Sequence, residues 1–237
     1  EGHPHAGHGG DSQGPFGAVR RALVAPGGWF LARLKLVAAL GLVTCRGEAP
    51  LPPRASALNE AGIAALEAGD LETASARFAL ALEHAPHYVE ALTNQGLVEL
   101  ERGNVARARQ LFERARRLNP DVAQPHHALG VLAELELRRD EAAVHYREAL
   151  AVDPGFAPAR ANLARLLFEG GRLEEAREQF KRLIEVAPDE PSGYAGLAVC
   201  LLTLGRDVEA ELVTLEGQRR FPEDPALAIA AARSALR

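Results

Sequence analysis

Five prolines stand in phase along this chain. Pro86, Pro120, Pro154, Pro188 and Pro222 recur at one constant interval, a period of about 34 residues. Each closes an apolar-periodic run, and the next run begins shortly afterwards, as in ALEHAPHYVEAL at 81–92. A fixed period of this length marks a repeat array, in which each unit buries its apolar face only against its neighbours. With the proline as position 32 of each unit, the units run 55–88, 89–122, 123–156, 157–190 and 191–224.

Composition agrees with helices. Of 237 residues, 47% are hydrophobic, dominated by Ala and Leu, while aromatics reach only 5% and β-branched runs are few. The expected class is all-α. The formal charge of −5 shows no basic stripe, which argues against nucleic acid as a partner. Two cysteines, Cys45 and Cys200, cannot build a disulfide framework.

The units repeat in detail. Position 8 is small: Gly62, Gly96, Gly130, Ala164, Ala198. Position 20 is Ala74, Ala108, Ala142, Ala176, Ala210, and position 24 is Phe78, Phe112, Tyr146, Phe180, Thr214. Position 27 is Ala81, Ala115, Ala149, Leu183, Gly217. This pattern resembles the tetratricopeptide repeat over residues 55–224, with the departures concentrated in the fifth unit. The resemblance implies a right-handed superhelical solenoid of five helix-turn-helix repeats. Residues 225–237 read as a C-terminal capping helix that covers the apolar face of the last unit.

Each residue type has a physical reason. EAGD, ERGN, EGGR and TLGR place a glycine just past the first helix, where a left-handed cap is wanted. The third unit reads LRRD, and Arg139 is expected at that position, loosening the turn. The small residues at 8 and 20 let the two helices approach. The aromatic at 24 is expected to fill the space between neighbouring units. Proline at 32 ends the second helix, because the residue before a proline disfavours the helical region.

In the family that this chain resembles, ligands lie along the concave side, lined by the first helices. The groove candidates are Asn59 and His127 at position 5, Asn94 and Asn162 at position 6, and Ile63, Leu97, Val131 and Arg165 at position 9. Position 12 supplies Leu66, Leu100 and Phe168, and position 13 supplies Glu67 and Glu101. An apolar floor with glutamates on one rim suits a peptide that offers apolar anchors and some Lys or Arg. The competing reading is that positions 9 and 12 are core, since apolar residues at helical spacing usually are. The carboxylate clamp of chaperone-binding relatives looks absent, because position 9 of the first units is apolar. An asparagine ladder gripping peptide backbone would have only Asn94 and Asn162 as rungs.

Catalytic constellations are missing. His126 and His127 are adjacent, so they point about 100° apart and cannot chelate one ion as an i, i+4 pair would. His84, His87 and His145 lack ligand spacing, and no phosphate loop, nucleophile elbow or Cys-x-x-Cys occurs. Cys200 reads as a small buried side chain. No cofactor, metal or enzymatic activity is expected.

The first 53 residues are another material, carrying +2 while the remainder carries −7. Residues 1–28 form a Gly/His-rich stretch expected to be disordered, with His3, His5 and His8 as weak metal ligands or simply part of a tail. Residues 29–45 have Arg33 and Lys35 ahead of an apolar run, 36–43, too short to span a membrane and laid out like a secretory signal. LVTC at 42–45 resembles the lipobox of bacterial lipoproteins, with Leu42 in place and Thr44 departing from the usual small residue. The resemblance implies lipidation at Cys45, and Arg46 after it implies sorting to the outer membrane. Residues 46–54 read as a Pro-rich linker. With no methionine and Glu1 first, the chain reads as a processed or trimmed product, or as a translation begun upstream of the true start.

The expected function is a non-catalytic scaffold that binds a peptide or partner protein in its groove, as a bacterial envelope lipoprotein assisting assembly of a larger complex. Self-association is left open. The alternatives are a cytoplasmic adaptor and an accessory that presents substrates to a separate enzyme.

Overall fold

The computed structural model describes residues 51–235. The expectations for the tail, the signal-like segment and Cys45 fall outside these residues.

The described residues form eleven helices and no strand. They are α1 (Pro53–Glu67), α2 (Leu71–His84), α3 (Val89–Glu101), α4 (Val105–Leu118), α5 (Ala123–Leu135), α6 (Arg139–Val152), α7 (Ala157–Glu169), α8 (Leu173–Val186), α9 (Pro191–Thr203), α10 (Asp207–Arg220) and α11 (Pro225–Ala235). From Val89 onward the first helices start at the same interval as the prolines, and so do the second helices from Leu71. Consecutive helices pack as hairpins, and each second helix packs on the first helix of the next hairpin. α11 lies against α9 and α10. Helix α1 begins at Pro53, inside the stretch expected as linker, with proline in the first turn where its missing N–H costs nothing. Among the described residues no helix is long and apolar enough to cross a membrane.

The in-phase prolines act as expected. The residue before each one, Ala85, Asn119, Asp153, Ala187 or Phe221, has left the helical region, with φ of −142°, −143°, −130°, −140° and −131°. The next helix starts shortly after the proline. Two buried side chains then bind the proline carbonyls: His126 Nε2 lies 3.0 Å from the oxygen of Pro120, and Arg160 donates to that of Pro154. Both stand at position 4.

The turn inside each hairpin needs one left-handed residue. Gly69, Gly103, Gly171 and Gly205 supply it at φ 77°, 82°, 75° and 74°. In the third hairpin the residue is Leu137 at φ 61°, not Arg139, which is the first residue of α6. The turn does not loosen. Leu137 N donates to Glu134 O at 2.9 Å and Arg138 N to Ala133 O at 2.8 Å, as Gly103 and Asn104 do to Leu100 and Glu99. The hydrogen bonds outweigh a left-handed penalty of about 1 kcal/mol.

The aromatic at position 24 packs within its own hairpin as well as towards the next. A Cβ added to Gly62, Gly96 or Gly130 would fall 2.4–2.5 Å from the ring of Phe78, Phe112 or Tyr146 respectively. The ring therefore lies across position 8 of its own hairpin, and it shares a buried cluster with the next one, Phe78 with Val98 and Phe112 with Ala128 and Leu132. Phe180 likewise lies on the next hairpin, against Gly196. Phe78, Phe112 and Tyr146 are fully buried, and each such burial contributes roughly 1.5–3 kcal/mol.

Candidate peptide groove

The first helices α1, α3, α5, α7 and α9 carry the predicted groove positions. The positions separate into interior side chains and open ones. Leu97, Leu100 and Val131 are interior, packed among Ala108, Phe112, Leu132 and the neighbouring helices. Ile63, Leu66 and Phe168 stay partly exposed, and Glu67 is exposed.

The asparagines are engaged within the protein. Asn94 Nδ2 donates to Asn59 Oδ1 at 3.0 Å, and both residues are buried. Asn162 Nδ2 lies 3.0 Å from His127 Nε2, so the amide donates and the neutral ring accepts. Position 5 of one hairpin is thus stapled to position 6 of the next, twice. These amides hold hairpins together, which spends donors that a backbone-gripping ladder would need. His127 is 1% exposed, between the rings of Tyr146 at 5.6 Å and Phe156 at 5.5 Å. Burial pulls its pKa down to about 3, so the ring is neutral near pH 7.

The third and fourth hairpins hold a polar cluster where the others are apolar. Glu134 replaces leucine at position 12, Arg165 replaces an aliphatic residue at position 9, and Tyr146 replaces phenylalanine at position 24. The three meet. Tyr146 Oη donates to Glu134 Oε1 at 2.6 Å, and Arg165 pairs with Glu134 and, at 2.8 Å, with Glu169 Oε1. Burial and the Glu134 charge push the Tyr146 hydroxyl well above its usual pKa. Burial works against the Arg165 charge, but the two carboxylates outweigh it and raise its pKa.

Beyond this cluster the groove opens into an apolar pocket of about 300 Å³. Phe168 and the stem of Arg165 from α7, Phe180 from α8, Ala195, Gly196 and Val199 from α9, and Ala226 and Ile229 from α11 line it. Ile229 is 59% exposed. Of the lining, the sequence had singled out Arg165 and Phe168. Ala226 and Ile229 were missed, although they stand one full period after Ser192 and Ala195, so the repeat register carried one unit further marks them as groove positions.

Cys200 Sγ is buried 3.2 Å from Leu173 O, and burial raises its pKa. Among the described residues no group of three His, Cys, Asp or Glu side chains could hold a metal ion.

Comparison with known proteins agrees with this architecture. The chain is 30% identical over 173 residues to cellulose synthase 1 operon protein C of Komagataeibacter xylinus, covering 67% of this chain and 13% of that protein. It is 28% identical over 145 residues to type IV pilus assembly protein PilF of Pseudomonas aeruginosa, covering 59% of this chain and 56% of PilF. The chain thus spans less than two thirds of either relative. The solved structure of Pseudomonas aeruginosa PilF superposes with a TM-score of 0.69 at 19% identity, over 77% of this chain and 83% of that one. Family models described as tetratricopeptide repeat match residues 59–123 and 138–197. The proline-punctuated hairpins and these two matches, which fall on the same helices, place the chain in the tetratricopeptide repeat family.

Proposed function

We infer that this protein is a non-catalytic scaffold whose concave side takes a peptide segment of a partner protein, seated by an apolar side chain in the pocket between α7, α9 and α11. The observation that carries this reading is the pocket itself. It is open, almost wholly apolar, and built from four helices, with Ile229 exposed at its edge, the character of a site that takes an apolar group. Glu67, exposed on α1 further along the array, is a rim carboxylate that would favour Lys or Arg in the same peptide, whereas Glu169 is already paired with Arg165.

The setting proposed is the bacterial envelope, with the array tethered through lipid on Cys45 and assisting assembly of a larger complex. Support comes from the signal-like segment and from a relative named for type IV pilus assembly. Intact-mass measurement of the native protein tests the tether: an unmodified Cys45 inside a longer chain ends it.

Peptide display against the purified chain tests the groove. Selected peptides should share an apolar anchor, and Ile229→Glu or Phe168→Ala should weaken them at least tenfold, about 1.4 kcal/mol. Arg147→Glu, on α6 away from the pocket, should leave them unchanged. Equal binding by all three variants refutes the pocket.

A further inference from the structure

Helix α10 carries an outward stripe unlike that of any other second helix. Its inner face buries Ala210, Thr214 and Gly217. On the opposite face Val208, Leu212 and Leu215 are 74%, 63% and 56% exposed. These are positions 18, 22 and 25 of the repeat. The same positions hold Glu72, Ala76 and Ala79 on α2, Ala106, Gln110 and Glu113 on α4, Asp140, Val144 and Arg147 on α6, and Glu174, Glu178 and Lys181 on α8. Four hairpins put charged, small or mixed residues where the fifth puts three large aliphatic ones. The fold does not ask for them, because no described neighbour covers them.

Their spacing names the kind of surface. Val208, Leu212, Leu215 and Arg219 follow one another at steps of four, three and four, the a/d seam of a helix that packs lengthwise on another helix. The charges along α10 are uneven. Asp207, Glu209 and Glu211 occupy its start, where Arg206 pairs with Glu209. Arg219 and Arg220 occupy its end, where both bind Glu216. Three acids against one base leave the start acidic, and two bases against one acid leave the end basic. A second α10 running antiparallel sets Leu212 against Leu215 and brings Arg219 beside the partner's acidic first turn. A parallel one stacks Arg219 on Arg219 and acid on acid. The helix is therefore complementary to itself in the antiparallel sense, with the twofold axis crossing between Leu212 and Leu215, and the same patch serves both copies.

We propose that the outer face of α10 is a homodimerisation surface, on which two copies of this chain pair through antiparallel α10 helices, leaving both concave grooves open. The contact is one helix wide, so it belongs with the small, weak interfaces, and the dimer forms in the micromolar range.

Sedimentation velocity of the full-length chain, from about 1 to 200 µM, tests this. The expected result is a reversible monomer–dimer equilibrium. Leu212→Glu should shift it to monomer across the range, with unchanged helical circular dichroism, since the side chain is exposed and its loss leaves the core intact. Arg219→Glu should weaken the dimer about tenfold, and Arg219→Glu combined with Glu211→Arg should recover most of that loss, a pattern that parallel pairing cannot give. A wild-type chain that stays monomeric at the top of that range overturns the proposal. So does a dimer that persists in Leu212→Glu, because the contact then lies elsewhere. Peptide binding to the concave pocket should be equal in wild type and Leu212→Glu, so this surface and the groove fail independently.

Discussion

His127 gives the most quantitative handle on this fold. The ring is neutral, 1% exposed, and accepts a hydrogen bond from Asn162 across the boundary of the third and fourth hairpins. Its pKa in the folded chain is about 3, against an ordinary value of 6.5. The folded pKa lies below the unfolded one, so the unfolded chain takes up a proton that the folded chain refuses. Stability is therefore full above about pH 6.5 and is lost as the pH falls towards 3, by about 1.4 kcal/mol per unit. Between pH 7.5 and pH 5 the loss from this residue is about 2 kcal/mol. The first hairpin supplies the control substitution, because position 5 there is Asn59, which already forms the equivalent staple with Asn94. His127→Asn should keep the staple, lose some packing against Tyr146 and Phe156 at a pH-independent cost of about 1–3 kcal/mol, and titrate no longer. Urea unfolding followed by circular dichroism at pH 7.5, 6 and 5 measures both proteins. The stability difference between them should shrink by about 2 kcal/mol over that range, while other titrating groups cancel in the subtraction. A difference constant to within about 0.5 kcal/mol would refute the reasoning and mean that His127 reaches solvent or protonates in place.

Other perturbations test the packing rules. Leu137→Gly should raise stability by about 0.5–1 kcal/mol, visible as a higher Tm, because left-handed strain is relieved at an 84% exposed side chain; Leu137→Ala should bring no gain. Gly130→Ala puts a methyl 2.5 Å from Tyr146 Cε1 and should cost about 1–3 kcal/mol in denaturant titration. Arg165→Val leaves Glu134, only 18% exposed, without its cation and should cost about 1–2 kcal/mol, less than a fully buried pair because the guanidinium is 44% exposed. The triple variant Glu134→Leu/Arg165→Val/Tyr146→Phe restores the apolar residues that other hairpins hold at all three positions, leaves no buried hydroxyl without its acceptor, and should recover that loss.

Where the chain turns was legible in the sequence. Proline acts on the residue just before it, and glycine acts on its own φ, so both effects are local and need no knowledge of what packs nearby. At the third turn the letters LRRD align with the other turn motifs only out of step with the period. Counting one full period from Gly103 lands on Leu137, the residue that takes the left-handed conformation. Continuing the same count past Asp224 would have shown Ile229 as a groove position.

What repetition leaves open is partnership. A contact inside a hairpin and a contact between hairpins recur with the same period, so the sequence could not separate the contact of Phe112 with Gly96 of its own unit from the contact of Phe180 with Gly196 of the next. Nor could it separate Leu97 and Val131, which the stacking covers, from Phe168 and Ile229, which line an opening at the end of the array. The meeting of Tyr146, Glu134 and Arg165, and the pairing of Asn162 with His127, likewise join residues up to 35 positions apart. The sequence alone determined the hairpins and their spacing, because φ preferences and helix periodicity are properties of neighbouring residues. Which side chains are core, staple or open surface was decided only by how one hairpin leans on the next, since burial depends on atoms that are distant along the chain.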